Sequence, residues 1–355
     1  MNPTESPYSH TNMKPNPGSI HKTDNRPRNY PQNYNHAVQR EFQRKRPNYL
    51  YQLRKHPKLA FGVVILAVVA IIFVIKINSN NSIGAKKTNV PEFVLPKNFI
   101  SVNKTTEDIH TGELILVNKQ HECEINGENL ESVIDNSNKK YQVSSNDVKA
   151  NKVLINALND MLGDFYKYAG KTDVMVASCF RSYVKQEKLY QDEIAQVGKS
   201  EAGKWVAIPG YSEHQTGFAV DLTLYNKHLT TDQYNGKGIY SWINENCYKY
   251  GLVQRYQTSK NSITQIYNEP WHFRYLGEPH AYYMNNNNFC FEEYVDLLHS
   301  RSKSNPLVFT DYLGKKWAVY YVASTGFNTQ VSVPVGYSYT ISGDNVNGFF
   351  VTVML

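Results

Sequence analysis

Cysteine is scarce in this chain, with four residues among 355, and no two are spaced as Cys-x-x-Cys. That spacing is the usual basis of a cysteine-built structural zinc cluster, so such a cluster is excluded. Also missing are His-Glu-x-x-His, the Gly-rich phosphate loop ending in Gly-Lys-Ser/Thr, and the Gly-x-Gly-x-x-Gly dinucleotide fingerprint. The familiar helical zinc-protease motif and nucleotide-driven chemistry fall away with them. An excess of one charge is missing too, outside one region. Eleven of the 38 Lys/Arg lie in residues 1–58 against three acids, Glu5, Asp24 and Glu41. The remainder is close to neutral, so the net charge of +7 describes a tail. It gives no reason to expect a nucleic-acid partner.

Long apolar runs are absent except for one. Residues 1–58 are rich in Asn, Pro, Tyr and Lys/Arg without apolar periodicity, the composition of a disordered tail. Leu59 to Ile75 then carries no charge, and Ile77 extends it past Lys76. With Lys58 and Lys76 snorkelling, 59–77 is long enough for a transmembrane helix. A cleaved signal peptide is the competing reading. Against it stand the 58-residue polar lead and the lack of a small-x-small cleavage site. Seven Lys/Arg flank the run on its N-terminal side, Arg40 to Lys58, and three on the other, Lys76, Lys86 and Lys87. The positive-inside rule leaves the N-terminus cytoplasmic and everything from about residue 78 outside. Cys123, Cys179, Cys247 and Cys290 all lie in that outer part, where two disulfides in one of three connectivities are open beside four free buried thiols.

What remains is organised around Tyr211 to Leu222. Phe218, Val220, Leu222 and Leu224 alternate with Ala219, Asp221 and Thr223, the period of a half-buried strand. An ionised Asp221 among apolar neighbours is costly unless something pairs with it. A bend at Gly217 would bring His214 beside it. Glu269-Pro270-Trp271-His272 adds a second imidazole with a carboxylate three positions earlier, and Pro270 turns that segment from helix towards a kinked extended form. His214, Asp221 and His272 are a mixed nitrogen and oxygen set that zinc accepts. Glu269 as a fourth ligand would close the site, whereas Glu269 as base leaves room for water. His110, His121, His228, His280 and His299 have no partners at ligand spacing.

Around the motif, Val148–Tyr168 has the three- and four-residue spacing of a helix, and Val174–Ser178 reads as a buried strand. Ser182 begins a second helix. Ser241–Tyr250 reads as a helix stopped by Gly251, with a strand returning over Leu252–Tyr256. Phe93–Val102 and Leu114–Asn118 look like short strands, and Phe291–Leu298 like a helix. Beyond Asn305, four β-branched and aromatic runs between turn signals make a small β unit.

The pattern Ser212-x-His214-x-x-Gly217-x-Ala219-x-Asp221, followed by Glu269-x-x-His272, resembles the VanY-type D-alanyl-D-alanine carboxypeptidases. That zinc peptidase family also holds D-Ala-D-Ala dipeptidases and L,D-carboxypeptidases. The resemblance runs from about Val148 to the end. It implies His214, Asp221 and His272 as ligands of Zn2+ and Glu269 as general base. It implies Arg181, in Ser178-Cys179-Phe180-Arg181-Ser182, as a residue facing substrate, stabilising an oxyanion or clamping a carboxylate. An ordinary surface ion pair is the plainer role for Arg181. Where the family has Gly-Tyr this chain has Cys179-Phe180, and Cys179 is open to a disulfide or to a place near the metal. Ser212, Gln186 and Tyr211 are the remaining substrate-side candidates, with Ser212 also suited to capping local backbone.

The expectation is an α+β protein: a small mixed or antiparallel sheet with helices around a zinc cleft, a small C-terminal all-β unit, and one transmembrane helix ahead of both. The divisions are 1–58 tail, 59–77 span, 78–110 linker and lead-in, 111–304 zinc carboxypeptidase domain, and 305–355 β subdomain. The expected activity is removal of the terminal D-Ala from peptidoglycan stem pentapeptides or their lipid-linked precursor, and by family implication loss of the target of glycopeptide antibiotics. An L,D-carboxypeptidase acting on tetrapeptides and a non-catalytic cell-wall-binding protein are the alternatives.

Overall fold

A computed structural model describes residues 96, 98–226 and 231–355 of the chain. The expectations for the tail 1–58, the span 59–77 and the linker to residue 95 lie outside the described residues. Among the described residues no helix is long and apolar enough to cross a membrane.

Strand β1 (Phe99–Thr105) comes first, and helix α1 (Lys152–Ala169) opens the central layer. Asn151 caps α1 by accepting from the Val153 amide, and Gly170 at φ 65° ends it. The helix starts later than the expected Val148 because Lys149–Asn151 pairs as a strand with Leu130–Ser132. Strand β2 (Val174–Ser178), helix α2 (Tyr183–Val197), strand β3 (Ala219–Tyr225), helix α3 (Ser241–Asn246), strand β4 (Leu252–Gln254) and strand β5 (His272–Tyr275) follow. In the sheet the order runs Gln142–Val143, β2, β3, β5, β4, with Thr231–Asp232 added beside β3. The outermost pair Gln142–Val143 with β2 is parallel and the other pairings are antiparallel.

The apolar stripe of α1, including Leu154, Leu158, Met161 and Phe165, packs on Val176, Val220, Leu222 and Phe273 from the sheet. That layer contact fixes which way each strand faces. Register then decides the site: Asp221 lies opposite His272 on one side and opposite Ser178 on the other, after a bulge in β2.

Helices α4 (Glu278–Asn287) and α5 (Phe291–His299) lead to strands β6 (Leu307–Thr310), β7 (Lys316–Ala323), β8 (Asn328–Pro334), β9 (Tyr339–Gly343) and β10 (Gly348–Met354). Four of them form an antiparallel sheet in the order β6, β7, β10, β9, and β8 pairs with β1. The β unit therefore draws its partner strand from the chain ahead of the catalytic layer.

One expectation is corrected here and one open alternative is decided. Leu114–Asn118 is buried but is no strand. Its polar groups are satisfied by the end of β9 and the turn that follows: Leu114 N–H donates to Ser342 Oγ, Leu116 N–H to Asp344 C=O, and Asn345 Nδ2 to Leu116 C=O. The four cysteines form no disulfide and are all buried free thiols.

Candidate active site and metal centre

After Ser212, in extended backbone, Glu213–Thr216 enters the core as a single turn of 3-10 helix, all four of its residues buried. Gly217, at φ 83°, closes that turn and sends the chain into β3. A side chain there would be strained, and its Cβ would lie 2.8 Å from Leu130 Cδ2. The turn swings His214 back over the strand it precedes, as the bend at Gly217 anticipates.

His214 Nδ1 lies 2.5 Å from the Cys179 carbonyl, which accepts its proton and leaves Nε2 facing Asp221 Oδ2 at 3.1 Å. His272 Nδ1 is 2.9 Å from Asp221 Oδ1, and its Nε2 is 3.1 Å from Glu213 Oε2. Each imidazole thus has one nitrogen on an oxygen acceptor and the other turned to a common point. The available ligand atoms of His214, Asp221 and His272 all lie within 4.8 Å of one another, and all three residues are buried. Outer hydrogen bonds that fix the tautomer are what metal-ligating histidines need, and two nitrogens with one carboxylate suit zinc. The donor set fits the ion.

Arg181 leaves the end of β2 and reaches the same carboxylate. One Nη donates to Asp221 Oδ2 and Ser178 Oγ, both at 3.2 Å, and the other to Gln186 Oε1 at 3.0 Å. Its side chain is 12% exposed, so this is no ordinary surface pair. Gln186 is buried in the first turn of α2 and donates onward to the Ala207 carbonyl at 2.7 Å. Cys179 lends its carbonyl to His214 while its thiol is buried, and burial raises the thiol's pKa.

Glu269 is half-buried. Its amide donates to the Tyr256 carbonyl at 2.9 Å, and its carbonyl accepts from the His272 amide at 3.2 Å. Burial pushes its carboxyl up to about 8, with His272 and Arg181 pulling down and Asp221 and Glu213 pushing up. Tyr211 is half-buried beside Glu122, whose charge raises the phenol's pKa. Ser212 is buried, and its carbonyl accepts from the Gln215 amide.

Sequence reasoning missed what stands behind His272. Burial alone would raise the Glu213 carboxyl, but Arg255, His272 and Arg274 outweigh it and hold it at about 2. Tyr256 stacks on His272 with centroids 5.2 Å apart, and its backbone takes φ 65°, an uncommon value for a bulky residue. The one signal for Glu213 was its place beside His214, and for Arg255 its place at the end of the strand over Leu252–Tyr256.

Three convergent ligand atoms, a half-buried carboxylate and a guanidinium at the edge define a mononuclear metallopeptidase centre. The VanY family model, described as D-alanyl-D-alanine carboxypeptidase, matches residues 148–278. A D-alanyl-D-alanine carboxypeptidase of Enterococcus faecium is 33% identical over 256 residues, which are 70% of this chain and 77% of the relative. One from Enterococcus faecalis (strain ATCC 700802 / V583) is 31% identical over 211 residues, 56% of this chain and 72% of the relative. The crystal structure of the vancomycin-resistance D,D-dipeptidase VanXYg, in complex with a D-Ala-D-Ala phosphinate analogue, aligns with a TM-score of 0.65 at 29% identity. That alignment covers 73% of this chain and all of the other. This chain belongs to the VanY-type D-alanyl-D-alanine carboxypeptidases, and zinc is the cofactor its donor set takes.

Proposed function

We propose that the chain hydrolyses the terminal D-Ala from peptidoglycan stem pentapeptides, or from their lipid-linked precursor, at the outer face of a membrane. The observation that carries this reading is the meeting of His214 Nε2, Asp221 and His272 Nδ1 with Glu269 and Arg181 beside them. The relatives named D-alanyl-D-alanine carboxypeptidases and the dipeptidase holding a D-Ala-D-Ala analogue support the substrate class.

His214, Asp221 and His272 would hold the ion. Zinc supplies a Lewis acid for the scissile carbonyl and lowers the pKa of water to roughly 7. Glu269 takes a proton from the attacking water and hands it to the leaving amine of D-Ala, the work of a general base and then a general acid. Arg181 offers a planar fork for the developing oxyanion or for the terminal carboxylate. Gln186 and Ser178 hold that fork in orientation. Water attacks directly, so no covalent acyl-enzyme forms on the chain.

The apolar run 59–77 and its flanking charge support a single-span anchor with a cytoplasmic N-terminus. Tethering at the surface that carries lipid-linked precursor raises the effective concentration of substrate. The test is the purified full chain in detergent with zinc, given precursor pentapeptide and tetrapeptide and read by mass spectrometry. Loss of one alanine from the pentapeptide alone is the expected result. Cleavage of the tetrapeptide alone would make it an L,D-carboxypeptidase, and cleavage of neither would refute the enzymatic reading.

A further inference from the structure

His272 is backed by a chain of buried charges whose outer ends lie beyond residues 148–278, the span that the family model matches. The first link is Glu213, 1% exposed, with Oε2 at 3.1 Å from His272 Nε2. Two buried guanidiniums flank it. Arg255 Nε lies 3.2 Å from its Oε1 and 3.3 Å from its Oε2, and Arg274 Nη1 lies 3.6 Å from Oε1. Arg255 then forks onto Glu292 through Nη1 at 2.7 Å and Nη2 at 3.0 Å. Glu292 belongs to the first turn of α5. Arg274 Nη2 donates to the Glu113 and Ile115 carbonyls at 3.0 and 3.1 Å.

Counted as charges, the two arginines balance Glu213 and Glu292, and the imidazole, neutral when it ligates a metal, leaves the group neutral. Removing one member would leave another buried without its counter-charge, which is far more costly than never having placed the pair. The arrangement also has a direction. Carboxylates face both ring nitrogens, Asp221 at Nδ1 and Glu213 at Nε2; with Nδ1 and Asp221 committed to an ion, Glu213 is the one that takes the ring proton at Nε2.

We propose that Glu213, Arg255 and Glu292 are positioning residues for the metal: Glu213 fixes the tautomer and plane of His272, and Arg255, clamped by Glu292, fixes Glu213. Helix α5, outside the matched catalytic span, thereby sets the zinc affinity of the site. This rests on the zinc reading above. A plain structural role for the same charges would stabilise the fold and leave metal affinity untouched.

The test uses the full chain in detergent, stripped of metal and titrated with zinc against a chromogenic chelator. The thermal midpoint of the metal-free protein is followed alongside. Glu213→Gln is expected to weaken zinc binding by ~10–100-fold, the usual cost of losing an outer partner of a metal-bound histidine. Glu292→Gln touches no ligand, and a smaller but measurable loss of about threefold or more is expected there. Glu292→Asp, which keeps the charge, should recover part of that loss. Should Glu213→Gln not fold, Glu292→Gln decides. Zinc affinity unchanged in a variant whose metal-free midpoint falls would overturn the proposal and leave the proposed function standing. A parent protein that takes up no zinc would overturn both.

Discussion

The catalytic sheet and the C-terminal β unit bury their surfaces in opposite ways. Behind β3 and β5 the protein encloses Asp221, His214, His272, Glu213, Arg255 and Arg274, each nine-tenths or more buried. Between β7, β8 and β10 it encloses Ala318, Tyr320, Val331, Val333, Phe349 and Val351. Buried charge contributes little to net stability, since desolvation offsets most of the attraction between partners. Apolar burial stabilises directly, by roughly 25 cal/mol per Å2. One region is arranged to hold an ion in a fixed geometry. The other is arranged to stay folded and to close over the lead-in through β1 and the Ser342–Asn345 turn.

That contrast can be broken by substitutions that move only one of two readouts. The largest effect belongs to Glu269→Gln. It should cut kcat/KM by as much as ~10⁴-fold, the upper range for a general acid–base group, with zinc content and thermal midpoint unchanged. An equal loss of bound zinc would make Glu269 a ligand instead. Phe349→Ala in the β unit is the converse. About 3–5 kcal/mol of stability should go in a denaturant titration, while kcat/KM measured at low temperature on the folded fraction holds. A matching fall in kcat/KM would show the β unit to be part of the site. Arg181→Lys keeps the charge and loses the fork. A fall of ~10²–10³-fold in kcat/KM is expected from the missing oriented donor. If KM alone rises, Arg181 clamps the substrate carboxylate in the ground state and does not act on the oxyanion.

The smallest effect sits at the seam between the two regions. His280 is buried with Nδ1 2.8 Å from Tyr294 Oη on α5 and Nε2 3.0 Å from Thr352 Oγ1 on β10. Burial pushes its imidazole from 6.5 down to about 3. The folded value is depressed, so the unfolded chain takes up the proton first as pH falls. Stability from the neutral ring is fully present above about 6.5 and is lost progressively towards 3. Between pH 7 and pH 5 the loss should be about 2 kcal/mol. Urea midpoints of the parent and His280→Gln at the two pH values check this. An identical pH dependence in both proteins would contradict it.

How much of this was legible in the sequence follows from how local each signal is. The alternation over Phe218–Leu224 and the glycine at 217 lie within a dozen residues of His214, so the site's first strand and its bend could be read directly. The helix of residues 152–169 carried its own periodicity and caps. The brace behind His272 could not be read. Glu213 meets Arg255 across 42 positions and Arg255 meets Glu292 across 37. Charged residues in isolation read as solvated, and only the fold shows that these are each other's solvent. Leu114–Asn118 misled for a related reason. Its apolar pattern marks burial, but its backbone partners lie at the end of β9 and in the turn after it, more than 220 residues later, and no strand ladder forms. The cysteines stayed open between disulfides and free thiols, because an even count says nothing about whether the pairs meet, and they are free and buried.

The most direct test is zinc-edge anomalous diffraction from crystals of the protein grown with zinc. The account predicts a single strong peak bounded by His214 Nε2, Asp221 and His272 Nδ1, with Glu269 beside it and outside bonding distance. A peak elsewhere, or none between those three side chains, would contradict it.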